Sequence, residues 1–240
     1  MVLALGRLNV AGRNGAASGV TDPSFASTKL LLGFEATNGS TTFADQSSAN
    51  RGNATAFGSA QVSTAQFKYG ASSLLLNGTT DYATFLDSTD WDFGTGAFTI
   101  ELFVRYATVA DAVFLSYRDA VGLGWRFYRT TSGLIFDAEG APGTVGVAWT
   151  PTAGTWYHVC VDRDAGGAIR VYVDGAMLQK NAAGGGSISN PAIDLHIGRN
   201  SASAVFFFNG NMDEIRITKG VARYGSDAGF TVPTAAFPRS

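Results

Sequence analysis

Cysteine is almost absent from this sequence of 240 residues, in which Cys160 is the single example. One cysteine cannot close an intrachain disulfide, so packing, with or without a bound metal, must stabilise the fold. A cysteine nucleophile also needs a base nearby, and the chain has only two histidines, His158 and His196. Because Cys160 alternates with Val159 and Val161, we interpret it as a small, half-buried strand residue.

Charge is scarce as well. Asp, Glu, Lys and Arg make up 15% of the residues, and the formal net charge is −2. Lysine and arginine form no cluster, so the sequence offers no electrostatic footprint for a phosphate backbone or an anionic lipid surface. We therefore expect neither nucleic acid nor a membrane surface as a partner.

Long apolar runs are also missing. The apolar start in "MVLALGRLNV" lasts only about five residues, and no basic region precedes it. A signal peptide or a membrane span needs a longer apolar stretch. We predict neither.

The helical period is missing too, whereas two-residue alternation is common. In "FTIELFVRY", Phe98, Ile100 and Leu102 share one face of a strand, and in "AIRVYVDGAMLQK" Asp174-Gly175 is typical of a tight hairpin turn. Thirty glycines and 12% aromatic residues favour many short strands. The sequence predicts an all-β fold with two stacked antiparallel sheets, a β-sandwich or jelly roll.

The predicted domain boundary lies near the start of the chain. Residues 1–28 are rich in Gly, Ala, Ser and Asn and show no sustained period, which is typical of an arm or linker. Residues 29–240, which begin with "KLLLGFE", form one domain in this interpretation.

An ordered set of motifs carries a family likeness. The set is "LLLGFE", "TTFADQSSANRG", "FKYGASSLLLNGTTDYATF", "WDFGTGAFTIELFVRY", "GTWYHVCVDRDAGGAIRVYVDGAML", "LHIGRN" and "FNGNMDEIRITKGVARY". With these motifs the domain resembles the laminin G-like, concanavalin A-like lectin/glucanase jelly rolls. Its ending, "DEIRITKGVARY…FTVPTAAFP", is similar to the variant common in structural proteins of tailed phages. The resemblance implies a fold, but this fold hosts enzymes, lectins and structural modules alike.

Catalytic signatures are absent from the sequence. The glucanase pattern of acidic residues along one strand, E-x-D-x-x-E or close to it, does not occur, and Glu101 has no acidic partner two residues away. Asp162 and Asp164 have that spacing, but Asp164 opens a glycine-rich turn. We therefore predict that the protein is not an enzyme.

Asp213 raises the question of a metal. In a regular strand its carboxylate shares a face with Ile215 and Ile217, where an unpaired charge costs several kcal/mol. The resemblance implies a structural calcium held by a last-strand carboxylate and N-terminal oxygens, for which the matching residues are Asp213, Asp45 and Glu35. The alternative is that Asp213 caps a loop while Asp45 and Glu35 are solvated. We expect Glu214 and Arg216, on the opposite face, to form a surface ion pair.

A sugar site would need exposed aromatic rings. Among the four tryptophans, Trp91 and Trp156 are interpreted as core residues. Trp125 and Tyr128, beside Arg126, are the predicted ligand contacts.

The leading functional hypothesis is a non-catalytic structural or adhesive module of a phage virion, a capsid decoration or tail-associated protein. Its arm, residues 1–28, would clasp other virion proteins, and the protein would be located in the virion. The alternative is a carbohydrate-binding, lectin-like domain that adheres to surface glycans, and a glycoside hydrolase has the least support. Phe206 to Phe208 place at least one aromatic ring at the surface, which suggests an oligomer contact or a sheet covered on both sides.

Overall fold

The computed structural model describes residues 20–138, 143–182 and 186–240. They form two antiparallel β-sheets packed face to face, which confirms the predicted all-β sandwich. The helical segments described are two short 3-10 turns, Phe25–Ser27 and Thr89–Trp91. In this part of the chain no helix is long and apolar enough to cross a membrane.

Sheet A has the strand order β14-β13-β12-β7-β16-β5-β4, and β1 pairs with the second half of β16. Its strands are β1 Thr28–Leu32, β4 Gln61–Ser63, β5 Ser73–Asn77, β7 Phe98–Tyr106, β12 Trp156–Arg163, β13 Ile169–Val173, β14 Ala176–Asn181 and β16 Asn209–Lys219.

Sheet B has the strand order β11-β10-β9-β8-β15-β6-β3-β2. Its strands are β2 Phe43–Ala44, β3 Asn53–Phe57, β6 Tyr82–Phe85, β8 Ala112–Arg118, β9 Gly124–Thr130, β10 Gly133–Ala138, β11 Thr144–Val147 and β15 Leu195–Ile197.

The core lies between the two sheets and follows the predicted alternation. Phe98, Ile100 and Leu102 of β7 are fully buried there. The predicted hairpin forms between β13 and β14, with positive φ angles at Asp174 and Gly175. These elements could be read from the sequence because apolar side chains recur at every second position.

The outer face of sheet A is covered by the chain itself. A C-terminal strap, residues 220–240, crosses it and buries Phe237 against Leu31 and Phe103. Residues 20–27, which the sequence assigned to an arm, also pack there, because Asp22 forms ion pairs with Arg216 and Arg223. The rest of the predicted arm, residues 1–19, lies outside the described residues.

The outer face of sheet B, in contrast, keeps its side chains accessible. Phe57, Tyr82, His196, Arg126 and Asp137 all project from it and are half-buried or exposed. Sheet B therefore provides the open sheet surface of the described domain, and the candidate site lies on it.

Candidate functional site

Three side chains on the open face of sheet B form a stack of rings, which we call the aromatic stack: Phe57, Tyr82 and His196. The ring centroids of Phe57 and Tyr82 are 4.3 Å apart with planes 2° from parallel, and those of Tyr82 and His196 are 5.5 Å apart at 3°. Neighbouring strands hold these rings, because Phe57 of β3 pairs directly with Tyr82 of β6. Phe57 ends the stack and is 38% exposed, so one of its ring faces is available to a ligand.

Arg199 fixes the other end of the stack. Its guanidinium carbon lies 4.0 Å from the Tyr82 ring centroid, and its Nε donates a hydrogen bond of 3.1 Å to His196 Nδ1. Burial, and next the charge of Arg199, lower the pKa of His196 to about 4. The imidazole is therefore neutral at physiological pH, and the bond from Arg199 leaves its proton on Nε2.

A polar groove adjoins the aromatic stack and has a volume of about 430 Å³. The groove begins two residues away from Phe57 and Tyr82 along the same two strands. There Thr55 pairs with Thr84, and Thr84 pairs in turn with His196. The groove is lined by Ala49, Asn50, Arg51, Asn53, Thr55, Thr84, Phe85, Leu86 and Asp87. An exposed aromatic face beside hydroxyl, amide and carboxylate groups suits a polar ligand that also has apolar faces.

The far side of the open face carries two arginines, which we call the guanidinium pair: Arg118 and Arg126. Arg126 donates a 2.7 Å hydrogen bond to Asp137 Oδ2, and Arg118 Nη1 lies 3.0 Å from the same oxygen. Arg126 also lies over the Tyr128 ring, 4.6 Å from its centroid. Burial alone would raise the pKa of Asp137, but Arg126 and Arg118 outweigh it and hold this pKa below its usual value.

The predicted ligand contacts are only partly brought together. Arg126 and Tyr128 do project from the open face, and Tyr128 is 9% exposed. Trp125, however, is fully buried in the core and donates a 2.9 Å hydrogen bond from Nε1 to the carbonyl of Trp91. Its inclusion was wrong, because residues three apart on a strand face opposite sides of the sheet.

The sequence of this chain matches a known protein family. The family model for laminin G domains, described as the concanavalin A-like lectin/glucanases superfamily, matches residues 77–223, more than half of the chain. The chain belongs to this superfamily. The matched residues include β6 to β16 and so contain most of the open face. No curated protein sequence matches the chain.

Solved structures of this superfamily fold include binding domains. The binding domain of Paraclostridial mosquitocidal protein 1 is similar with a TM-score of 0.63 and 14% identity, over 82% of this chain and 50% of that one. Domain 4 of AbnA, a GH43 extracellular arabinanase from Geobacillus stearothermophilus in complex with arabinotriose, has a TM-score of 0.58 and 17% identity, over 81% and 93%. The binding domain of botulinum neurotoxin DC in complex with SialylT gives 0.53 and 14%, over 82% and 49%.

The chain thus spans about half the length of the two toxin binding domains and nearly all of the arabinanase domain. At these identities the likeness establishes the shared fold, and the function has to be argued from the site.

Enzymes of the superfamily would need a carboxylic acid able to donate a proton at the site. Asp137 on the open face is instead held ionised by two guanidinium groups. Burial raises the pKa of Asp162 to about 6 and that of Asp213 to about 8, but both belong to the covered face of sheet A. These two acids therefore lie on the sheet opposite the open face.

The question raised by Asp213 is answered by a β-bulge. Asp213 pairs with Phe103 and Arg216 with Glu101, so β16 carries one extra residue between them, and Glu214 adopts a φ of 49°. The extra residue shifts the two-residue alternation by one position, so Ile215 and Ile217 face the core. Asp213 therefore does not share a face with Ile215, as the sequence had suggested, but points outward, where the backbone N–H groups of Lys68 and Tyr69 cover it.

The carboxylates of the three predicted calcium ligands are occupied by hydrogen bonds within the protein, and this does not fit a shared calcium site. Asp45 accepts four hydrogen bonds of 2.8–3.0 Å, from Leu31 N, Ser47 N, Ser47 Oγ and Arg51 N, which use all its acceptor positions. Asp213 accepts three from backbone N–H groups, and Glu35 accepts from Ala71 N. Within the described ranges, no group of three His, Cys, Asp or Glu side chains could hold a metal ion.

The expected surface pair of Glu214 and Arg216 was also wrong. Glu214 is 1% exposed and binds Arg239 through both carboxylate oxygens, at 2.6 and 2.7 Å. Arg216 is 5% exposed and binds Glu101. Both charges lie under the strap because the bulge turns them to the same covered face.

Sequence reasoning missed the aromatic stack. In "DYATF", Tyr82 and Phe85 are three residues apart, so only one of them can face the core. Phe85 is the buried one, at 4% exposure. This parity signals an outward aromatic ring at Tyr82, which the predicted ligand contacts did not include.

Proposed function

We propose that this protein is a non-catalytic carbohydrate-binding module that holds glycans on the open face of sheet B. The observation that carries the proposal is the aromatic stack beside the polar groove, on the sheet face that the strap leaves free. A sugar ring has an apolar face that can pack on Phe57, while its hydroxyl groups can pair with the groove side chains. Structures of the same fold in complex with arabinotriose and with SialylT support this choice of ligand class.

Removal of the exposed ring tests the proposal. Phe57→Ala should weaken binding of any glycan that the wild type binds on a glycan array by at least about tenfold, as expected for a central aromatic contact. Phe67→Ala is the matched control, because Phe67 is 43% exposed and lies in the loop beside the covered face of sheet A. We expect calorimetric affinity to fall for Phe57→Ala only. Equal affinities of both variants and the wild type, or no binding to any glycan, would refute the proposal.

An adhesive role on a virion is the second candidate, and the placement of the chain ends favours it. Asp22 N donates a 2.8 Å hydrogen bond to Ser240 O, and Asp22 also pairs with Arg216 on the outer face of sheet A. An attachment made through residues 1–19 would thus leave from the side opposite the aromatic stack. The glycan surface would then point away from the particle.

Attachment can be tested by deletion of residues 1–19. Since residues 20–27 pack on sheet A, the shortened protein should fold with an unchanged melting temperature and still bind glycans. We expect it to be lost from purified particles when it replaces the full chain. If the shortened protein copurifies with particles as well as the full chain does, this attachment is ruled out.

A further inference from the structure

The charges of the guanidinium pair are not balanced by their one acidic partner. Arg118 and Arg126 share a single carboxylate oxygen, Oδ2 of Asp137. Two cations therefore meet one anion. Both side chains keep some exposed surface, 20% for Arg118 and 18% for Arg126. A partly exposed pair of guanidinium groups that shares one carboxylate is a ready site for a second carboxylate or a sulfate.

A third cation lies on the same face. Arg199 packs on the Tyr82 ring and donates to His196, and among residues 20–138, 143–182 and 186–240 it has no carboxylate within ion-pair distance. Two further acids lie on this side. Asp87 lines the polar groove and accepts a 2.6 Å hydrogen bond from Tyr117 Oη, and Asp194 accepts a 3.2 Å hydrogen bond from Asp87 N. Neither carboxylate forms an ion pair with a described arginine. The guanidinium pair and Arg199 thus bring three positive charges to this face, and Asp137 is the one described carboxylate that pairs with them, although the whole chain is slightly acidic.

Strand register relates the cations to the aromatic stack. His196 pairs with Ser116, Ser116 with Arg126, and Arg126 with Asp137. These residues form one row across four neighbouring strands. With strands about 4.8 Å apart, Arg126 lies about 10 Å from His196 along this row. An oligosaccharide of two or three residues spans that length.

We propose that the open face selects anionic oligosaccharides, whose carboxylate or sulfate group binds the guanidinium pair while a sugar ring packs on the aromatic stack. This inference rests on the proposed glycan-binding function and names its ligand class. Arg199 adds a second positive charge beside the stack. Asp137 holds the two guanidinium planes in place and leaves one of their charges for the ligand.

Matched polysaccharides separate charge from sugar identity. Polygalacturonate is compared with its fully methyl-esterified form, and dextran sulfate with dextran, by calorimetry at low and high NaCl. In at least one pair the charged polymer should bind about tenfold tighter, and added salt should remove this preference. The pair that shows the preference tells whether a carboxylate or a sulfate is recognised.

Variants assign the preference to the guanidinium pair. Arg118→Gln/Arg126→Gln should bind charged and neutral polymers equally, whereas Arg105→Gln, which changes an arginine beside Gly154, should behave as the wild type. Asp137→Asn is the converse test. It frees one more charge and should strengthen the preference, which a merely unfolded variant would not do.

The outcomes separate this inference from the proposed function. Equal binding of charged and neutral glycans by the wild type, with loss of both in Phe57→Ala, would overturn the anionic selectivity and keep the glycan site. A charge preference that survives in Arg118→Gln/Arg126→Gln would overturn the role of the guanidinium pair. Absence of binding to every array glycan and all four polymers would overturn both.

Discussion

Replacing Glu101 with alanine is expected to lower the free energy of unfolding by about 3–5 kcal/mol, because it leaves buried donors without their acceptor. Glu101 is fully buried under the strap. Its Oε1 accepts from Arg216 Nε and Nη2, at 2.8 and 2.7 Å. Its Oε2 accepts from Tyr224 Oη at 2.7 Å and lies 3.1 Å from His158 Nε2.

Thermal and urea unfolding measure this effect, and a loss of this size lowers the melting temperature of a domain this long by about 10 °C. Glu35→Ala is the control, since it makes the same change in a partly exposed carboxylate and should cost about 1 kcal/mol or less. Glu101→Leu/Arg216→Met should recover part of the loss, because removal of both charges leaves neither one unpaired. A Glu101→Ala variant as stable as the control would show that the network contributes no stability.

The contribution of Glu101 should also depend on pH. Burial alone would raise its pKa, but the charge of Arg216 and the contact with His158 lower it to about 2. The carboxylate therefore stabilises the folded state fully above its unfolded pKa, near 4.5, and this stability is lost as the pH falls from there towards about 2. The difference in stability between the wild type and Glu101→Ala should shrink over the same interval.

Arg239→Ala is expected to cost about 3 kcal/mol, because Glu214 would stay buried without its cation. Arg239 binds both oxygens of Glu214, at 2.6 and 2.7 Å, and Glu214 also accepts from Phe237 N at 2.8 Å. The ion pair thereby fixes the end of the strap, where the Phe237 ring packs on Leu31 and Phe103.

Two further variants distinguish the ion pair from general effects of losing an arginine. Arg239→Lys should be intermediate, since an ammonium group cannot bind both oxygens in the planar, paired geometry. Arg105→Ala, at a surface arginine that bonds only Gly154 O among the described residues, should change stability by less than about 1 kcal/mol. If Arg239→Ala unfolds at the same urea concentration as Arg105→Ala, the ion pair of Arg239 and Glu214 does not stabilise the end of the strap.

The sequence predicted the layers of this fold well, because alternation is a local signal. Ile100 and Leu102 could be assigned to the core from their own neighbours in β7. Asp213 and Glu214 could not be placed in this way. The bulge between Asp213 and Arg216 is set by the pairing of β16 with β7, and one inserted residue reverses the face of every side chain beyond it.

The site was harder to predict than the fold for a related reason. Trp125 and Tyr128 are close in sequence but lie on opposite faces of β9. Phe57, Tyr82 and His196 come from three separate strands and meet only through the register of β3, β6 and β15. No single sequence motif contains them. The guanidinium pair depends likewise on Asp137, which reaches Arg118 across the intervening strand β9.

The hydrogen bond between Asp22 N and Ser240 O has a consequence for how this domain can be arranged in larger architectures. Residues 22 and 240 lie side by side. The sandwich can therefore be inserted into a surface loop of a host protein without separating the two ends of that loop. Copies joined in tandem, or a circularly permuted version, would leave the open face of sheet B unobstructed, since the joined ends lie on the side of sheet A.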